Sequence, residues 1–110
     1  MSNGAKSLAD LGLRAQGAQD ARITGLAVDS RAVRDGYLFA ALPGVKVHGA
    51  EFVAYALRMG AAAVLTDRAG AKIANAALAG SGVALVLAED PRQALAFAAA
   101  LWFGRQPECV

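Results

Sequence analysis

Three consecutive side chains within residues 28–44, VDSRAVRDGYLFAALPG, carry a carboxylate, a hydroxyl and a guanidinium: Asp29, Ser30 and Arg31. A serine hydroxyl can donate to a phosphate oxygen. A guanidinium can pair with phosphate or with a neighbouring carboxylate. The same triplet can equally be a plain Asx or Ser turn, with Arg31 bridging to Asp29 or Asp35. Lys46 and His48, on the next loop, could face the same crevice or simply be solvated surface.

Other chemistries lack their residues. His48 is the only histidine, so a Ser-His-Asp site would have to be built on it. There is no G-x-S-x-G elbow and no His/Cys cluster for zinc. No G-x-G-x-x-G follows a strand, since Gly80-Ser81-Gly82 precedes one. The stretch GVKVHGAE, 44–51, comes nearest to a phosphate-binding loop, with Gly44 and Gly49 leading into a helix. A P-loop would need Lys and then Ser or Thr where this chain has Ala50 and Glu51. No catalytic residue and no metal ligand is therefore assigned. What remains is anion binding at a strand end, or a loop that merely needs glycine.

The elements that would position these residues follow from apolar spacing. KSLADL, 6–11, reads as a short helix capped by Ser7, with Leu8 and Leu11 inward. RITGLAV, 22–28, reads as a strand with an irregularity at Gly25. YLFAAL, 37–42, is an apolar run between Asp35-Gly36 and Pro43-Gly44, hence a buried strand. AEFVAYALRM, 50–59, is helical, with Phe52, Tyr55, Ala56 and Met59 on one face and Gly60 as the stop. AAAVLT, 61–66, is a strand, and 67–79 a helix capped by Asp67. VALVLA, 83–88, is a strand, and Asp90-Pro91 opens a helix that runs to about Phe103. The order β, β, α, β, α, β, α predicts a single α/β domain with a mostly parallel sheet of about four to five strands flanked by helices.

Composition agrees with a packed domain: of 110 residues, 56% are hydrophobic and 18% charged, with a net charge of +2. The basic residues are scattered, and no basic block or aromatic platform suggests nucleic-acid binding. Cys109 is the only cysteine, which suits a reducing cytoplasm. The N-terminus lacks a signal-peptide core. The apolar helix near 93–103 is about half the length of a membrane span, so a soluble, cytoplasmic, monomeric protein is expected. The final RQPECV could end a free-standing domain or begin the next part of a longer one.

The segment DSRAVRDGYLFAALPGVKVHGAEFVAYALRMGAAAVLT resembles a longer pattern: Asp-Ser-Arg, x-Val, xx-Gly, x-Leu-Phe-x-Ala, xx-Gly, xxx-(Asp)-Gly, xx-Phe, xxx-Ala, xxx-Gly-Ala. That pattern belongs to the N-terminal domain of the Mur ligases of peptidoglycan precursor synthesis, here most similar to the MurE type, UDP-N-acetylmuramoyl-tripeptide synthetase. The MurF type, which adds D-Ala-D-Ala, is the alternative, as is a non-enzymatic α/β interaction module. The resemblance implies that 1–110 is a UDP-substrate-binding domain, inactive alone, of an ATP-dependent amide-forming ligase. The central ATP- and Mg2+-binding domain and the C-terminal domain would lie outside it, since the chain stops before the expected Gly-Thr-Asn-Gly-Lys-Thr loop. The implied partner is UDP-N-acetylmuramoyl-L-alanyl-D-glutamate, extended by diaminopimelate or lysine. The implied contacts are Ser30 to the diphosphate, with Val28 and the loop residues Val45, Lys46 and Val47 framing the uracil. Arg31 and His48 are secondary candidates. The family's common Asp-Gly-His is His48-Gly49-Ala50 here, so a role carried by that aspartate or histidine does not transfer.

Overall fold

Alternation along three apolar runs builds the molecule. In a strand, successive side chains face opposite sides of the sheet. Leu38, Ala40, Ala63, Leu65, Ala84 and Val86 form one buried face, while Phe39, Ala41 and Val64 form the other. Runs buried on both faces are what a parallel sheet requires.

The computed structural model describes residues 6–16, 21–44 and 46–102. Its main sheet has four strands: β3 (Gly25–Ala27), β4 (Tyr37–Ala41), β5 (Ala63–Thr66) and β6 (Ala84–Leu87). They lie side by side in chain order, and every pair is parallel. The expected α/β fold and parallel sheet are both present. A separate two-stranded antiparallel ladder joins β1 (Lys6–Ser7) to β2 (Arg22–Ile23).

Each face of the sheet has its own cover. Helices α1 (Val53–Arg58), α2 (Arg68–Ile73) and α3 (Asn75–Leu78) pack on the Phe39 face through Val53, Ala56 and Ala74. Helix α4 (Pro91–Trp102) and the N-terminal segment cover the Leu38 face through Ala98, Leu8, Leu11 and Ile23. Two helix starts follow sequence rules. Asp67 accepts from the Gly70 amide at 2.7 Å and Asp90 from the Gln93 amide at 3.1 Å, and Pro91 fills the first position of α4. Gly60 ends α1 with φ 107, where a Cβ would also run into Asp35.

Four expectations need correction. The segment 6–11 is a two-residue strand followed by a 3-10 turn at Ala9–Leu11. Ser7 still caps it, since Ser7 and Asp10 exchange side-chain and amide hydrogen bonds at 3.1 Å each. The run 22–28 is two strands in two different sheets, broken at Thr24, whose hydroxyl donates to the Asp35 carbonyl at 2.7 Å. The helix expected over 67–79 breaks at Ala74. The face proposed for 50–59 holds for Ala56 and Met59, which pack into the core, but not for its two aromatics. Val53 and Ala56 face the core, while Phe52 is 47% and Tyr55 39% exposed. The end of α4 at Phe103 and Cys109 lie outside the described residues.

Candidate functional site

Strands β3 and β4 end beside each other, and in an open α/β sheet the space outside adjacent carboxyl ends is where ligands collect. A groove of about 830 Å³ opens there. It is lined by Val28, Asp29, Ser30 and Arg31 after β3, by Leu42, Val47 and Gly49 after β4, and by Phe52 and Tyr55 at the start of α1. Val28, Val47, Phe52 and Tyr55 are all exposed large apolar side chains, and only Ile73 and Phe97 share that condition among the described residues. Such side chains gathered in one concavity mark a place that something covers.

The Asp29 carboxylate folds the first wall. It accepts from the Arg31 amide at 2.9 Å, making the Asx cap of a 3-10 turn over Ser30–Ala32. It also takes a two-pronged contact from the Arg31 side chain, 3.1 Å from Nε and 2.8 Å from Nη2. The Arg31 bond and amide together pull the Asp29 carboxyl down to about 2, and Asp29 raises Arg31 in return. Arg31 thus bridges to Asp29, one of the two partners the turn reading allowed. Its side chain is 82% exposed, which leaves the pair little energetic weight.

Ser30 differs from both neighbours. The residue is buried, and its hydroxyl makes no hydrogen bond to a described residue. No fully buried side-chain oxygen among the described residues lacks a partner, so this oxygen must reach an open side, and Ser30 lines the groove. A neutral donor sits between an apolar floor and a guanidinium engaged elsewhere.

The second wall is held from behind. His48 caps the 3-10 turn Gly49–Phe52, its Nδ1 accepting from the Ala50 amide at 2.9 Å. That leaves the proton on Nε2, which meets Asp67 Oδ1 at 2.9 Å. Burial raises the Asp67 carboxyl, but the Gly70 amide and then His48 more than offset it, and the net direction is down.

Among the sequence candidates, Val28, Ser30, Arg31 and Val47 come together on the groove. Lys46 stands exposed beside it, outside the lining. His48 faces away, towards α2, so direct contact with a groove ligand is not its place. Val45 lies outside the described residues. Sequence reasoning missed Leu42, Gly49, Phe52 and Tyr55 as lining residues. The available signal was that 50–59 carries more apolar residues than one helix face can bury. No group of three or more His, Cys, Asp or Glu that could hold a metal occurs among the described residues, and none of their helices is long and apolar enough to cross a membrane.

The model of the Mur ligase family, catalytic domain, matches residues 22–102. The chain belongs to the Mur ligase family. It is 46% identical over 93 residues to the UDP-N-acetylmuramoyl-L-alanyl-D-glutamate--2,6-diaminopimelate ligase of Brucella melitensis, covering 84% of this chain and 18% of that protein. It is 52% identical over 84 residues to the ligase of the same name from Streptomyces coelicolor, covering 76% of this chain and 16% of that one. The chain thus spans less than a fifth of the length of these curated relatives. A crystal structure of MurF from Acinetobacter baumannii superposes with a TM-score of 0.65 at 20% identity, over 90% of this chain and 22% of that one. That likeness shows the shared Mur ligase fold. The relatives' names agree with the MurE type expected from the motif.

Proposed function

We propose that this chain is the substrate-nucleotide-binding domain of a MurE-type ligase, holding the uridine diphosphate end of UDP-N-acetylmuramoyl-L-alanyl-D-glutamate in the groove at the ends of β3 and β4. The observation that carries this reading is the grouping of four exposed apolar side chains around one unpartnered hydroxyl. The apolar part suits a planar base and ribose, and Ser30 suits a phosphate oxygen. Phe52 and Tyr55 supply ring faces to the base, and Val28 and Val47 its edges. Lys46, exposed and near the rim, adds a positive charge that steers a diphosphate without touching it. Val45 remains a candidate from the motif alone.

The parent ligase joins diaminopimelate to the D-glutamate-ending substrate, the acceptor and the amino acid that the relatives' names give. ATP and Mg2+ are its expected cofactors, and the described residues do not fit them. Ala50 and Glu51 replace the lysine and hydroxyl of a phosphate loop, and the Ala50 amide is already taken by His48. Carboxylate activation is therefore assigned to a part of the ligase other than these described residues, in the cytoplasm where the nucleotide precursor is made.

Calorimetry with UDP and with UDP-N-acetylmuramoyl-L-alanyl-D-glutamate tests the proposal. Saturable binding of both, with no ATP turnover by the chain, is the expected result. No saturation at millimolar nucleotide would overturn it.

A further inference from the structure

Val47 and Gly49 line the groove, and the residue between them is turned to the opposite side. His48 engages both ring nitrogens there, with the Ala50 amide on Nδ1 and Asp67 on Nε2, each at 2.9 Å. Asp67 accepts from the Gly70 amide, which ties the ring to the start of α2. The ring lies close over Gly70, where a Cβ would strike both Thr66 Oγ1 and the imidazole. Thr66 Oγ1 donates to the Ala41 carbonyl at 2.8 Å, at the end of β4. The imidazole thus ties the groove loop to the start of α2, and the Thr66–Ala41 bond joins the ends of β5 and β4 close by.

We propose that His48 is a positioning residue for the groove, a clasp that fixes Val47 and Gly49 from behind and releases the turn when the ring takes up a second proton. The proposal rests on the reading of the groove as the nucleotide site.

The two ring nitrogens respond differently to protonation. Nε2 donates to Asp67 in either state, and a charged ring donates more strongly. Nδ1 can accept from Ala50 only while it carries no proton. A proton there points one donor at another, so the cap is lost while the tie to α2 tightens. The turn Gly49–Phe52 then opens at its first residue, and the groove loses its shape where Val47, Gly49 and Phe52 meet.

The surrounding charges are few. Helix α2 presents Asp67 to the ring and carries Arg68 and Lys72 towards solvent. The turn itself bears exposed Glu51, and α1 bears exposed Tyr55 and Arg58. Strand β4 has its one titratable residue, Tyr37, at the opposite end, and β5 has none. Asp67 is the only charged group hydrogen-bonded to the ring among the described residues, and its lowered carboxyl stays ionised throughout the imidazole range.

The test lowers the pH from about 8 to about 5, reads the ring's second proton directly from the His48 ring resonances, and follows two further readouts. The first is the amide shifts of Val47, Gly49 and Ala50 in a nitrogen-15 spectrum. The second is affinity for UDP-N-acetylglucosamine, a diphosphate diester that does not itself titrate in this range. In the wild type the amide shifts should move together with the His48 ring resonances, and affinity should fall about fivefold once the ring is charged, a cap's worth. His48→Asn keeps an acceptor for Ala50, has no ring to protonate and is too short for Asp67. Its affinity should be lower at pH 8 and flat with pH. Equal pH profiles for wild type and variant would overturn the clasp, as would wild-type shifts that ignore pH. Shifts that titrate as expected with no nucleotide binding at any pH would leave the clasp standing and remove the nucleotide reading.

Discussion

Two capped turns face each other across the groove. After β3, Asp29 caps the turn Ser30–Ala32 and pairs with Arg31. After β4, His48 caps the turn Gly49–Phe52 and pairs with Asp67. The capping chemistry is shared, yet the pairs differ in reach and in burial. Asp29 and Arg31 are two residues apart, with side chains 48% and 82% exposed. His48 and Asp67 are nineteen residues apart, with side chains 12% and 23% exposed. An exposed local pair shapes its own turn and little else, because water competes for both charges. A shielded pair between distant segments locks two elements together, and losing one partner strands the other. The first wall of the groove is thus held by its own residues, and the second by the body of the domain.

The sharpest way to break this contrast is Gly70→Ala. Helix propensity alone would favour alanine by about 1 kcal/mol. The added methyl would collide with Thr66 Oγ1 and the His48 ring, and both are anchored. Overpacking should win, and urea unfolding should show a net loss of about 2 kcal/mol. Next comes Asp67→Ala, which removes the cap of α2 and the partner of His48 and should cost about 1–2 kcal/mol in the same measurement. Its pH signature has a definite sign. A carboxyl held below its ordinary value contributes stability above that value and loses it as pH falls through the lowered one. The wild type should therefore lose its margin over Asp67→Ala below about pH 4.

Ser30→Ala tests the first wall. The hydroxyl has no partner among the described residues, so stability should hardly change, while nucleotide affinity measured by calorimetry should fall by about 1 kcal/mol. An unchanged affinity would reduce Ser30 to a turn residue. The smallest effect is expected for Arg31→Ala. With the pair so exposed, the unfolding curve should superimpose on the wild type, although Asp29, now held at about 2, should titrate closer to an ordinary aspartate by NMR.

The same contrast explains what could be read from the chain. The Asp29–Arg31 turn was legible because everything it uses lies within three residues. So were β4, β5 and β6, whose apolar runs are long enough for strands and bounded by turn residues. The clasp was not legible, since no local rule pairs a loop histidine with a helix cap nineteen positions on. His48 was placed at the groove because its neighbours are there, but its ring turns back to the Ala50 amide and Asp67. Phe52 and Tyr55 were assigned to the core because a 3.6-residue period cannot say which of two apolar stripes meets the sheet. Here the small side chains Val53 and Ala56 fit under the domain, and the bulky aromatics remain outside. The break at Thr24 between two sheets left only a faint trace, the glycine that follows it.

The strand order has a kinetic consequence. Neighbours in the sheet are neighbours along the chain, so every strand pairing closes a short loop, and the loop-closure cost that slows many parallel sheets is small here. The exception is the packing of α4 on the Ala9–Leu11 turn, which joins opposite ends of the described chain. Docking of α4 should be the last event to cross the barrier. Ala98→Gly, deep in that contact, should accelerate unfolding while leaving the refolding rate almost untouched in a chevron experiment. The groove, assembled from β3 to α2, would then take shape before the domain's other face has closed.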